Sequence, residues 1–325
     1  MMNRRNVLAG AASLAALPGL QAFAQAQPES ARILVGFTAG GLTDTMARRL
    51  ADKMRGGYAP AVLVENKPGA SGQIAITQVK DSPPDGSVLL LTHSSALAMY
   101  PFTFKKLPYD PMKDLVPVSL VCHTNHAMVV GPLVPASVVN VKDFVAWVKA
   151  NPDKANTATP GLGSMPHLVV AVVNQQTGLD LKPVAYKGTA AAINDVVAGQ
   201  VASAAGPVGN YLPQVQAGKL RLIAVSGDAR SSFAPNVATF REQGVAMTAR
   251  EWYGVYLPAK ASAETQRRAN AQVQAALTDP ALVAFLQQSG VDVAHSTPQV
   301  LASMLEADTR EWRTLTKEIG FTAES

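Results

Sequence analysis

The chain has 325 residues, 48% of them hydrophobic, with 28 lysines and arginines against 23 acidic side chains and a single cysteine. A formal net charge of +5, with basic residues scattered rather than gathered on one stripe, argues against nucleic-acid binding and is compatible with attracting small anions. Cys122 has no second cysteine to pair with, so an intramolecular disulfide is excluded and stability must come from an apolar core.

At the N-terminus Arg4 and Arg5 precede the apolar run Val7 to Leu20. Small residues then frame a cleavage point at Ala22-Phe23-Ala24 or Ala24-Gln25-Ala26, so residues 1–26 read as a cleaved export signal and the expected location is the periplasm. The paired arginines fit twin-arginine export, although a Sec signal can also carry two positive charges. A membrane span is disfavoured because the run is shorter than roughly 20 residues and contains Pro18 and Gly19. The mature chain is too long for one ordinary core and suits two lobes, on a length prior of about 100–200 residues per domain.

Short β-branched runs then alternate with helical patterns, which predicts an α/β protein of mainly parallel sheets flanked by helices. Arg32 to Phe37 reads as a buried strand and Thr38 to Leu42 as a tight loop. The next helix has Met46, Ala47, Leu50 and Met54 on one face, with Arg48, Arg49, Asp52 and Lys53 on the other. Val62 to Asn66 and Val88 to Thr92 are further strands, and Val118 to Val130 is an extended segment able to cross between lobes. Asn140 caps a helix containing Phe144, Val145 and Val148 that Asn151-Pro152 stops. Strands are expected at 156–159, 181–186, 201–205 and 221–226, with helices near 166–176, 190–198 and 211–217. Trp252 to Tyr256 returns the chain to the first lobe, and helices are expected around 263–277, 280–289 and 297–318. The expected division is 27–126 with 250–325 for one lobe and 127–249 for the other, with a ligand cleft between them.

In such sheets ligands sit at the carboxyl ends of strands. The loop Phe37-Thr38-Ala39-Gly40-Gly41-Leu42-Thr43-Asp44 lets the backbone approach a ligand and offers free N–H groups to an anion. Equally, Gly40 and Gly41 can serve only the turn, with Thr43 or Asp44 capping the helix. The loop fits neither the phosphate-loop pattern nor the three-glycine dinucleotide fingerprint. A second such loop, Thr159 to His167, contains Gly163 and Ser164, and Pro166 suits the first helical turn. Ser94 and Ser95 add hydroxyls at the sheet edge of the first lobe, as Tyr186 and Lys187 do in the second. Lys187 has a plain solvated reading beside its reading as a carboxylate partner.

Catalytic and metal readings are poorer. Gly69-Ala70-Ser71-Gly72-Gln73 nearly forms a nucleophile elbow but has Gln73 where the second glycine belongs, so a turn is expected. His167 beside Ser164 has no acidic partner nearby and reads as a capping or packing histidine. On a strand, His123 and His126 face opposite sides, which argues against a metal site.

The ordered motifs resemble the substrate-binding receptors of tripartite tricarboxylate transporters, often called Bug receptors. They comprise Phe37-Thr38-Ala39-Gly40-Gly41 with Thr43-Asp44, Val64 to Gly72, Pro84-Asp85-Gly86, and Lys106-Leu107-Pro108-Tyr109-Asp110-Pro111. Gly163-Ser164 with His167, Tyr186-Lys187-Gly188, Ala217 to Arg221 and Trp252-Tyr253-Gly254 complete them. The resemblance implies a type II periplasmic-binding-protein fold, monomeric, closing on a small organic carboxylate or amino acid and delivering it to membrane permease subunits. It implies no cofactor, no metal and no chemistry. Phe37 to Asp44, Ser94, Ser95, Gly163, Ser164 and His167 would line the cleft. Gly36 and Thr38 depart from the prolines common in the family, Met165 and Pro166 from small hydroxyl residues, and Ala202 from an aspartate. A periplasmic sensor signalling to a membrane kinase and a secreted hydrolase using Ser71 or Ser164 are the competing readings.

Overall fold

The computed structural model describes residues 27–321, so the export-signal reading of residues 1–26 lies outside the described residues. The chain opens with β1 (Ser30–Val35), whose Ile33, Leu34 and Val35 are fully buried, and continues into α1 (Leu42–Met54), which buries Met46, Ala47, Leu50 and Met54 on one face. Next come β2 (Ala61–Asn66), α2 (Gln73–Lys80) and the wholly buried β3 (Val88–His93). Three short helices, α3 (Ser94–Ala98), α4 (Tyr100–Thr103) and α5 (Pro111–Asp114), lead into the long strand β4 (Leu115–Val130).

The second lobe carries α6 (Val141–Ala150), β5 (Asn156–Thr159), α7 (Met165–Thr177) and β6 (Lys182–Ala185), then α8 (Thr189–Val197), β7 (Ser203–Pro207), α9 (Val208–Gln216) and β8 (Arg221–Val225). The side chain of Asn140 accepts from Asp143 N at 2.8 Å, the N-cap expected for α6. The chain returns through β9 (Arg250–Pro258) and ends with α10 (Ala263–Leu277), α11 (Pro280–Gln288), β10 (Asp292–Val293) and α12 (Pro298–Glu318). Ser262, Asp279 and Thr297 cap α10, α11 and α12 with their side-chain oxygens, which sets where each helix starts.

The sheet order is β2-β1-β3-β9-β4-β7-β5-β6, with β8 and β10 also paired to β4. Its two ends are parallel, while β9 and β4 are antiparallel to their neighbours. β4 pairs with β9 as far as Asn125 and with β7 from His126, so it passes from one lobe's sheet into the other. The expected crossing segment is therefore present, extended three residues toward the N-terminus. Cys122 is buried on it beside Met46, and burial pushes its thiol well above the ordinary range, which leaves it a packing group.

Helices α2 to α5 are not legible in the sequence. The four or five residues of α3, α4 and α5 span too little of the helical period to show an apolar face, and for the eight-residue α2, Gly69 and Gly72 read as a turn that in fact leads straight into it. That turn holds Ala70 and Ser71 at φ of 45° and 54°, a left-handed conformation costly for residues with a Cβ. Gly36 lets it pack close, since a Cβ at position 36 would stand 2.5 Å from the Cα of Gly72.

Candidate binding site

Two adjoining cavities lie between the lobes, and Phe37 and Pro160 line both. The inner one is narrow, about 30 Å³, and the outer one is about 430 Å³. Four helices of nine or more residues begin at the inner cavity. Leu42 and Thr43 reach it from α1, Ser164 and Pro166 from α7, Thr189 from α8, and Pro207 and Asn210 from α9. None of the four has a side-chain cap at its N-cap residue, so first-turn amides and the positive ends of four helix dipoles are directed there. Among the described residues, no lysine or arginine lines this cavity.

The two glycine-rich loops are built alike. In the first, Gly40 N donates to Asp44 Oδ2 at 3.0 Å, four residues on. Asp44 also pairs with Arg48 at 2.8 Å and accepts from Asn66 at 2.9 Å. Burial opposes its ionisation, but the hydrogen bonds from Arg48, the Gly40 amide and Asn66 together hold its carboxyl below the ordinary range. In the second loop Gly163 N donates to His167 Nδ1 at 3.0 Å, again four residues on. Ser164 Oγ donates to Gly161 O at 2.6 Å, and the His167 ring packs edge-on against Phe321.

Three hydrogen bonds join the lobes across the cleft. Leu42 N donates to Asn210 Oδ1 at 2.9 Å, Thr38 N to Lys187 O at 3.1 Å, and Ser71 Oγ to Leu162 O at 2.8 Å. The lobes are thus in contact beside both cavities.

Its floor is formed by a cluster that register dictates. On one side of β9, Tyr253 stands opposite His93 of β3; on the other, Glu251 stands opposite Thr124 of β4. Alternation places Glu251 on the face of Tyr253, and His126 on the face of Thr124, so both histidines are diagonal neighbours of one carboxylate. Accordingly His93 Nδ1 lies 3.1 Å from Glu251 Oε1, and His126 Nε2 lies 3.1 Å from Oε2. Ser95 Oγ lies 2.7 Å from His93 Nδ1 and donates to Glu251, and Ser95 N donates to the same oxygen at 3.2 Å. Burial disfavours the Glu251 carboxylate, yet the charge of His93 and the hydrogen bonds from His126 and His93 outweigh it and hold the group ionised well below the ordinary range.

Of the expected residues, Gly41, Thr43, Ser95 and Ser164 reach the inner cavity, Tyr186 and Lys187 the outer, and Phe37 both. Thr38, Gly40, Asp44, Ser94, Gly163 and His167 line neither. Asp44 and His167 hold the loops, and Ser94 Oγ accepts from Trp252 N at the foot of β9. Tyr186 donates to Asp195 at 2.7 Å. Sequence reading missed His93, Glu251, Thr189 and Asn210. The signals on offer were a histidine closing an otherwise apolar strand and a lone acid opening an aromatic one. Among the described residues, no group of three or more histidine, cysteine, aspartate or glutamate side chains is arranged to hold a metal.

A family model described as "Tripartite tricarboxylate transporter family receptor" matches residues 46–321. Protein BugT of Bordetella pertussis (strain Tohama I) is 30% identical over 324 residues, covering 98% of this chain and 99% of that protein. The solved periplasmic binding protein BugD superposes with a TM-score of 0.85 at 31% identity, over 91% of this chain and all of that one. MatC from Rhodopseudomonas palustris, solved with bound malate, superposes with a TM-score of 0.79 at 28% identity, over 87% of this chain and 97% of that one.

Proposed function

The chain belongs to the tripartite tricarboxylate transporter receptor family, and from that premise we propose that it is a periplasmic receptor that closes its lobes on a small carboxylate and hands it to membrane permease subunits. The observation that carries this reading is the convergence on one narrow cavity of four helix N-termini, drawn from both lobes, none of them capped by the side chain of its own N-cap residue. A carboxylate there is held by main-chain donors supplied by each lobe, so its binding favours the closed form over the open one. The malate bound by MatC has the same chemistry. On this reading residues 27–126 and 250–325 form one lobe, 127–249 the other, and residues 1–26 direct export.

Hydrolysis is disfavoured by how the serines are committed. Ser71 Oγ donates to Leu162 O and Ser164 Oγ to Gly161 O, so each hydroxyl is spent on a carbonyl rather than turned to a base. Ser95, His93 and Glu251 have the residue types of a triad without its geometry, because serine and acid both meet the same ring nitrogen.

Native mass spectrometry of protein taken from its own periplasm, followed by calorimetry with the released compound, tests the proposal. One stoichiometric organic acid that rebinds unchanged and compacts the protein in solution scattering is expected. An empty protein that ignores a carboxylate panel yet consumes an ester or amide would overturn it.

A further inference from the structure

The inner cavity, at about 30 Å³, has room for about two water-sized groups, which suits the paired oxygens of one carboxylate and not a whole organic acid. The rest of the solute must therefore pass Phe37 and Pro160, which line both cavities, into the outer one of about 430 Å³. What lines the outer cavity then decides which acids are held.

Its walls combine apolar surface with unused donors. Phe37, Phe104 and Leu162 supply apolar surface. Two of the hydroxyls are committed, since Tyr186 donates to Asp195 at 2.7 Å and Ser71 to Leu162 O at 2.8 Å. Gln73 differs. It is only 6% exposed, yet its side-chain amide makes no hydrogen bond among the described residues. A buried amide left without a partner is unfavourable, so it marks a place where a ligand atom can supply one. Gln73 also opens α2, and its N-cap Gly72 has no side chain to cap the helix, so the positive end of the α2 dipole lies at the same wall. The exposed Lys106 and Lys187 reach the cavity from opposite lobes, and neither forms an ion pair among the described residues. No described aspartate or glutamate lines it.

We propose that the outer cavity is a second anion subsite, in which Gln73, Lys106 and Lys187 select solutes that carry two acidic ends joined by an apolar spacer, one carboxylate in each cavity. The inference rests on the carboxylate-receptor reading above and deepens it from a small carboxylate to an elongated diacid. The two cavities divide recognition between them. The inner one holds a carboxylate of any acid through main-chain donors, whereas the outer one is reached only by a chain that extends past Phe37, and its charge favours a second anion. Salt screens the exposed lysines and acts less on the buried Gln73 amide.

Calorimetry of the full mature chain with adipate and with hexanoate, which has the same chain length and one carboxylate fewer, reads the subsite directly. Adipate should bind at least about tenfold tighter than hexanoate, and rising ionic strength should narrow the gap. Gln73→Leu, which keeps the bulk of the side chain, should cut that preference about fivefold, and Lys106→Met and Lys187→Met about threefold each. A purely structural role for these residues would weaken both acids alike and leave the ratio unchanged. The wild-type comparison and its salt dependence need no substitution, so they decide the matter even where a variant folds poorly. Adipate binding no tighter than hexanoate, or a preference that none of the three substitutions alters, would overturn the outer subsite and leave the receptor reading standing. Failure of every carboxylate to bind would overturn both.

Discussion

The two glycine-rich loops solve one problem with different chemistry. Each runs from a strand into a helix, and each ties a loop amide to a side chain four residues on, Gly40 to Asp44 in the first lobe and Gly163 to His167 in the second. Asp44 is charged and further anchored by Arg48 and Asn66, whereas His167 accepts the loop amide through Nδ1 and packs on Phe321. The first loop is therefore anchored through a charged carboxylate and the second through an imidazole, although their sequences look equivalent.

The largest effect should come from removing the charged anchor. Asp44→Ala leaves the Gly40 amide, Asn66 and Arg48 without their shared acceptor and should cost about 2–3 kcal/mol in a denaturant titration. An unchanged midpoint would mean that the charged anchor adds no stability. His167→Ala removes the acceptor of the Gly163 amide and the ring packed on Phe321 and should cost less, about 1 kcal/mol, recovered in part by His167→Asn, which restores an acceptor. Equal losses at the two sites would show that charge does not separate the loops.

Closure should respond more weakly still. Asn210→Ala frees Leu42 N, a contact made only across the cleft, and should lower carboxylate affinity about fivefold through the closed state, with little change in the melting of either lobe. Solution scattering should show a smaller closed fraction at subsaturating malate. The smallest expected effect is one of pH. Asp44 has a depressed pKa, so its contribution to stability is complete above the ordinary carboxylate range near about 3.9 and is lost only as pH falls through its lower folded value. On acidification, hydrogen exchange should therefore release the Gly40 amide only below that range, and its release at or above it would remove Asp44 as the anchor of the first loop.

Much of the framework is open to reading from local pattern. The spacing of Met46, Ala47, Leu50 and Met54 locates α1, residues 263–277 coincide with α10, and Asn140 marks the start of α6. Gly41, Thr43 and Ser164 can be placed at the cleft because a strand leading through glycines to a helix start is a local signature. The short helices α3 to α5 are not readable, since four or five residues hold too little periodicity. Asp44 and His167 stand out in the right loops, yet the hydrogen bonds that tie them to Gly40 and Gly163, and keep them out of both cavities, emerge only from coordinates.

The alternation of strands and helices, the two glycine-rich helix starts and the long apolar segment that joins the lobes are all written into the amino-acid order, because each depends on residues close along the chain. The meeting of positions 93, 126 and 251 is not, and it arises only when the strands assemble. It depends on β9 lying between β3 and β4 in a particular antiparallel register, and a shift of one residue would turn the Glu251 side chain to the other face and leave both histidines unpaired.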